Sequence, residues 1–149
     1  MYSRILVPID DGSETSNRGL AEAINLARDQ KARIRLLHVI DESFIVYDAY
    51  SMLSGGGVIL EEFRTRGEKV LAEAKNLASR SGVEAETKLL ETLRQRVGDM
   101  ILKDARDWGA ELIVMGTHGR RGFSQLALGS DAATVLHDAP VPVLLVRAK

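Results

Sequence analysis

Four short apolar runs punctuate the chain: Ile5–Ile9, Ile34–Ile40, Leu112–Met115 and Val143–Val146. Each is near-continuous rather than alternating, as expected of strands buried on both faces. A fifth run, Glu84–Leu90, mixes polar and apolar positions and suits a strand near a sheet edge. Between these runs the apolar period lengthens to that of a helix. Leu20, Ala23, Ile24 and Ala27 fall on one helical face. Leu60, Phe63, Gly67, Val70, Leu71, Ala74, Leu77 and Ala78 make a longer stripe, with Gly82 as its stop. Val97, Ile101, Ala105 and Trp108 form a third, ended by Gly109. Ala132, Val135 and Leu136 form a fourth, ended before Pro140 and Pro142.

The resulting order is βαβ, a long connection, then αβαβαβ. It predicts an α/β fold: a five-stranded, mostly parallel sheet flanked by helices on both faces. The first strand is expected to be central, with the strand order reversing beside it. Ligands of such sheets bind outside the carboxyl ends of the strands at that reversal. The loops to inspect therefore follow Ile9, Ile40, Leu90 and Met115. No repeat or linker divides the chain, so residues 1–149 read as one domain. The stretch from Asp41 to Val58 is long for such a connection and rich in apolar residues. It reads equally as a loop packed on its own domain and as a lid hinged at Gly55, Gly56 and Gly57.

Composition narrows the chemistry. The 149 residues carry 20 basic and 21 acidic side chains, a formal charge of −1, so nothing draws the chain toward nucleic acid or anionic membrane. The absence of cysteine removes disulfides, thiolate metal sites and a cysteine nucleophile. The three histidines, His38, His118 and His137, lack metal-ligand spacing, so no metal site is expected. No apolar run is long enough for an export signal or a membrane span, and the expectation is a cytoplasmic protein. His38 reads as a core or strand-edge histidine, His137 as a partner of a helix dipole. Trp108 reads as core, and Glu61, Glu62, Arg64 and Arg66 as a solvated helix face.

The strongest local signal runs from Ile113 to Ser130. A buried strand opens into a loop with glycines at 116, 119 and 122, and Gly129-Ser130 then starts a helix. Glycine permits positive φ and close approach to a ligand. Successive backbone N–H groups and a helix N-terminus make an anion nest. Ser130 is placed either to cap that helix or to hydrogen-bond a phosphate oxygen. Arg120 and Arg121 add positive charge. The loop is neither a Walker A motif nor a GxGxxG fingerprint.

Gly116-x2-Gly119-x9-Gly129-Ser130 resembles the G-x2-G-x9-G-[S/T] pattern of nucleotide-binding members of the universal stress protein family. The opening Ile5-Leu6-Val7-Pro8-Ile9-Asp10, the Leu36–Asp41 segment and the closing Pro140–Val146 segment are similar to that family too, in the same order. The resemblance implies a Rossmann-like, adenine nucleotide alpha hydrolase-like fold, a homodimer and ATP binding. It puts adenine against Pro8, Ile9 and the Val39 backbone, and the ribose hydroxyls on Asp10. Met115, Gly116, Gly119, Gly129 and Ser130 would wrap the phosphates, with His118 and Arg120 close by. Mg²⁺ would be held mainly by phosphate oxygens and water.

Two departures stand out. Asp10-Asp11-Gly12-Ser13 has one residue more than the common Asp-Gly-Ser form. Asp10 and Asp11 both qualify as the ribose ligand; strand length favours Asp10, and Asp11 is left to cap the first helix. The glycine common after the third strand is missing, Leu89-Leu90-Glu91-Thr92-Leu93 standing there and Gly98 coming later. The leading expectation is an ATP-binding stress-response or signalling dimer, joined through the edge strand Val141–Val146. No residue is assigned as catalytic. Slow ATP hydrolysis or autophosphorylation, AMP or cyclic AMP binding, and a nucleotide-free interaction module are the alternatives.

Overall fold

The computed structural model describes residues 1–46, 56–118 and 128–148, with the main chain only at 56–59. Its strands are β1 (Arg4–Pro8), β2 (Arg33–Asp41), β3 (Ala85–Thr92), β4 (Leu112–Gly116) and β5 (Val143–Val146). The long helices between them are α1 (Glu14–Gln30), α2 (Gly56–Arg80), α3 (Val97–Trp108) and α4 (Ser130–Asp138). Residues 42–46 add a short helical segment after β2. The sheet order is β3-β2-β1-β4-β5, and every pairing is parallel. The expected reversal beside a central β1 is therefore present, between β1 and β4.

Alternation along the central strands divides the core. Ile5, Val7, Ile34, Leu36, Leu112 and Val114 pack toward α1 and α2. Leu6, Leu37, Ile113 and Met115 pack toward α3 and α4. Each such fully buried side chain stabilises the fold by roughly 1.5–3 kcal/mol before chain entropy is set against it. This double-sided burial is why the runs are near-continuous in sequence.

Helix ends follow local chemistry. Gly109, at φ 70°, closes α3 by donating to Ala105 and Arg106 carbonyls. Gly82, at φ 74°, follows α2. α1 instead ends on Lys31 in the left-handed region (φ 57°), a stop that no glycine signals. Leu77 and Leu136, expected on buried stripes, are exposed. Each lies at the margin of its helix's apolar arc, where the sheet no longer covers it.

The second face also holds a buried charge. Asp104 of α3 is 2% exposed and accepts from Arg35 Nη1 of β2 at 3.1 Å and Lys88 Nζ of β3 at 2.5 Å. Arg35 also stands 3.4 Å from Glu86, and its guanidinium lies 4.8 Å from the Trp108 ring centroid. Trp108 is thus partly buried, as expected, but one side of its ring meets a cation.

β5 closes one sheet edge, with its four residues half-buried. Ile45 is buried while Val46 is exposed, so the start of the long connection packs on the domain. The rest of the expected lid, 47–55, lies outside the described residues. Among the described residues no helix is long and apolar enough to cross a membrane.

Candidate functional site

The turn from β1 to α1 is built from its own side chains. Asp10 Oδ1 accepts the N–H of Gly12 at 3.1 Å and of Ser13 at 2.8 Å, an Asx turn. Gly12, at φ 108°, supplies the backbone conformation that this turn requires. Ser13, not Asp11, is the N-cap of α1; its hydroxyl accepts from Ser16 N–H at 3.2 Å. Ser16 Oγ in turn accepts from Asp10 N–H at 3.0 Å. Asp11 reaches the other way, 3.7 Å from Arg66 Nη1 of α2.

The route from β4 to α4 obeys different constraints. Neither Gly116 nor Gly129 has positive φ. Their missing Cβ atoms are a matter of packing. At Gly116 a Cβ would meet the Thr15 carbonyl carbon at 2.8 Å and its hydroxyl at 2.7 Å. At Gly129 it would lie 3.1 Å from His118 Cα. Thr15, which the sequence did not single out, is 1% exposed and donates its hydroxyl to the His118 carbonyl. The N-cap of α4 is Gly129, with no side-chain cap bond, and Ser130 is the first helical residue. The capping role considered for Ser130 is therefore not filled. Gly119 and Arg120, with Arg121 and Gly122, lie outside the described residues.

These segments border a cleft of about 750 Å³ at the carboxyl ends of β1, β2 and β4. Pro8, Ile9, Asp10, Val39, Met115, Gly116, His118, Gly129 and Ser130 all line it. So do residues that periodicity assigned elsewhere. His38 is half-buried and aims into the cleft from β2. Arg66 keeps its exposed place on the helix and stands beside Asp11 at the rim of the cleft, its guanidinium 5.2 Å from the Phe63 ring centroid. Arg96, Thr134 and Asp131 contribute from the α3 and α4 side. Asp10, Asp11 and Asp41 thus face the cleft at the β1 and β2 end, and Asp131 faces it from the first turn of α4, whose N-cap residue makes no side-chain bond.

At the end of β3, where the glycine expected from the family pattern is missing, Glu91 pairs with α2. Glu91 accepts two hydrogen bonds from Arg64 of α2, from Nε at 2.5 Å and Nη2 at 2.9 Å. Arg64 holds the Glu91 carboxyl below the usual carboxylate range. Gly98, the next glycine, instead lets α3 approach α4, where a Cβ would meet Thr134 at 2.7 Å.

Comparison with known proteins agrees with this architecture. The model of the universal stress protein family matches residues 1–147. Universal stress protein YxiE of Bacillus subtilis is 34% identical over 155 residues, covering 99% of this chain and 100% of its own. Universal stress protein MJ0577 of Methanocaldococcus jannaschii is 34% identical over 163 residues, covering 100% and 97%. The solved MJ0577 structure superposes with a TM-score of 0.86, at 26% identity over 100% of this chain and 98% of that one. A universal stress protein from Archaeoglobus fulgidus, solved in complex with dAMP, gives 0.73 at 25% identity, over 98% of each chain. By the family match and these full-length relatives, the chain belongs to the universal stress protein family.

Proposed function

We propose that the cleft binds an adenine nucleotide, with ATP and Mg²⁺ as the leading ligand, and that binding shifts a conformational or oligomeric equilibrium of a cytoplasmic stress-response homodimer. One observation carries the reading. The nine described residues that the family resemblance assigns to nucleotide converge on one cleft at the strand-order reversal. Its volume suits a nucleotide-sized ligand. The A. fulgidus relative, solved with dAMP, lends support to the class of ligand.

The chemistry divides along the cleft. Pro8 and Ile9 offer apolar surface for a base, beside the Val39 main chain. Asp10 is read as the ribose ligand: the Asx turn fixes its carboxylate at the cleft through Oδ1, whereas Asp11 stands beside Arg66. The first-turn N–H groups of α4 receive phosphate oxygens, assisted by the helix dipole. Gly119 and Arg120 belong to the same phosphate end. Mg²⁺ would be held by phosphate oxygens and water. The edge of β5 that does not face β4 is available to a second copy, pairing about a two-fold axis.

Calorimetric titration with ATP, ADP, AMP and cyclic AMP, with and without Mg²⁺, tests the reading. Saturable ATP binding is the expected result. No binding of any of the four at millimolar concentration would overturn it. Sedimentation with and without nucleotide tests the dimer.

A further inference from the structure

In a parallel sheet, a residue donates to the carbonyl before its partner and accepts from the amide after it. Ile9 makes the first of these bonds, donating to the Leu37 carbonyl at 2.8 Å. The second would run from Val39 N–H to the Ile9 carbonyl. At that carbonyl stands the imidazole of His38, its Nδ1 at 2.8 Å. A carbonyl only accepts, so Nδ1 carries the proton and donates it. The ring is held in this pose by α2. A Cβ at Gly67 would lie 2.9 Å from His38 Cδ2 and 3.4 Å from Nε2.

We propose that His38 is a positioning residue of the cleft: its ring satisfies the Ile9 carbonyl in place of the Val39 amide and so keeps that amide available to the edge of a bound purine. The inference rests on the proposed adenine-nucleotide reading and deepens it. An N–H and a C=O presented together by Val39 match a ring-nitrogen acceptor beside an exocyclic amine, as in adenine. Guanine presents a carbonyl oxygen where adenine has its amine, and mismatches. His38 therefore sets base selectivity without touching the base.

The test uses the full chain and the variants His38→Leu and His38→Asn, with thermal melts to confirm folding. The asparagine side-chain nitrogen stands close to where Nδ1 stands and retains the donor. Without nucleotide, amide hydrogen exchange should show Val39 N–H exchanging fast in the parent and His38→Asn, and protected in His38→Leu as it turns to the vacant carbonyl. ATP affinity should fall about tenfold in His38→Leu, the loss of one hydrogen bond. The ATP-to-GTP affinity ratio should fall with it, and His38→Asn should restore both. Binding of inorganic tripolyphosphate should not change. An unchanged ATP-to-GTP ratio in His38→Leu, or a Val39 amide already protected in the parent, would overturn the proposal. If the parent binds no adenine nucleotide, the proposed function falls, whereas the exchange comparison still decides the His38 contact.

Discussion

Among the helix N-termini that border the cleft, those of α1 and α4 treat their first amides in opposite ways. α1 satisfies its own: Ser13 caps it, and Asp10 takes the two amides just ahead. α4 begins on Gly129 with no side-chain cap. The two ends are nevertheless packed together through Thr15, which abuts Gly116 and holds the His118 carbonyl. A self-satisfied turn is suited to present a carboxylate, while an uncapped one is suited to receive an anion. Proximity to the strand-order reversal does not by itself decide which end binds what.

The hardest test of this contrast is at its joint. Gly116→Ala places a methyl against Thr15 backbone and should destabilise the fold by about 3 kcal/mol, read by urea denaturation. Loss of nucleotide binding in a bulkier variant at 116 therefore reports packing against α1. Next is Asp10. Asp10→Ala removes the acceptor of two amides and should cost about 1–2 kcal/mol of stability together with most nucleotide affinity. Asp10→Asn keeps the Oδ1 acceptor but not the charge. Its melting temperature should stay close to the parent's while ATP affinity falls about tenfold. Ser13→Ala should cost about 1 kcal/mol and leave affinity unchanged, since it caps α1, whereas the proposed phosphate end lies at α4. Ser130→Ala, at an end that makes no cap bond, should change stability by less than about 0.5 kcal/mol and lower ATP affinity only a few-fold.

The smallest effect concerns acid. Glu91 is held below its ordinary pKa by Arg64, so the pair contributes stability above that ordinary value and loses it as pH falls through the lowered one. The pair is partly exposed, so salt should weaken its contribution. Urea midpoints of the parent and Glu91→Gln should differ at pH 7 and converge only once the pH has fallen below the lowered Glu91 pKa.

Much of the fold was legible because periodicity reports which faces are buried. Val143–Val146 has the bounds that the apolar run predicts, and β1 lies central as the element order requires. Periodicity says nothing of which neighbour a polar residue meets. His38 alternates with core residues and looks like one, yet its ring nitrogen serves the end of β1. Arg66 sits on a charged helix surface that happens to arch over the cleft. Lys31 ends α1 without glycine because two carbonyls of the last turn take its amide, a stop with no compositional mark. The glycines at 116 and 129 were visible as a motif, but their reason, contact with Thr15 and His118, depends on residues that the motif itself does not point to.

The salt-linked Asp104 has a consequence for how the sheet is assembled. β3 is an edge strand of mixed polarity, and such a strand is weakly told where to pair. Leu37 stands opposite Lys88 and Arg35 opposite Glu86 in the native alignment. Asp104 is reached by Arg35 and Lys88 together in that alignment. A shift by one residue would send Lys88 to the opposite face and leave the carboxylate with half its counter-charge in a dry interior. The ionic triad thus ties the alignment of β3 to a buried charge balance, a constraint that hydrophobicity alone does not supply.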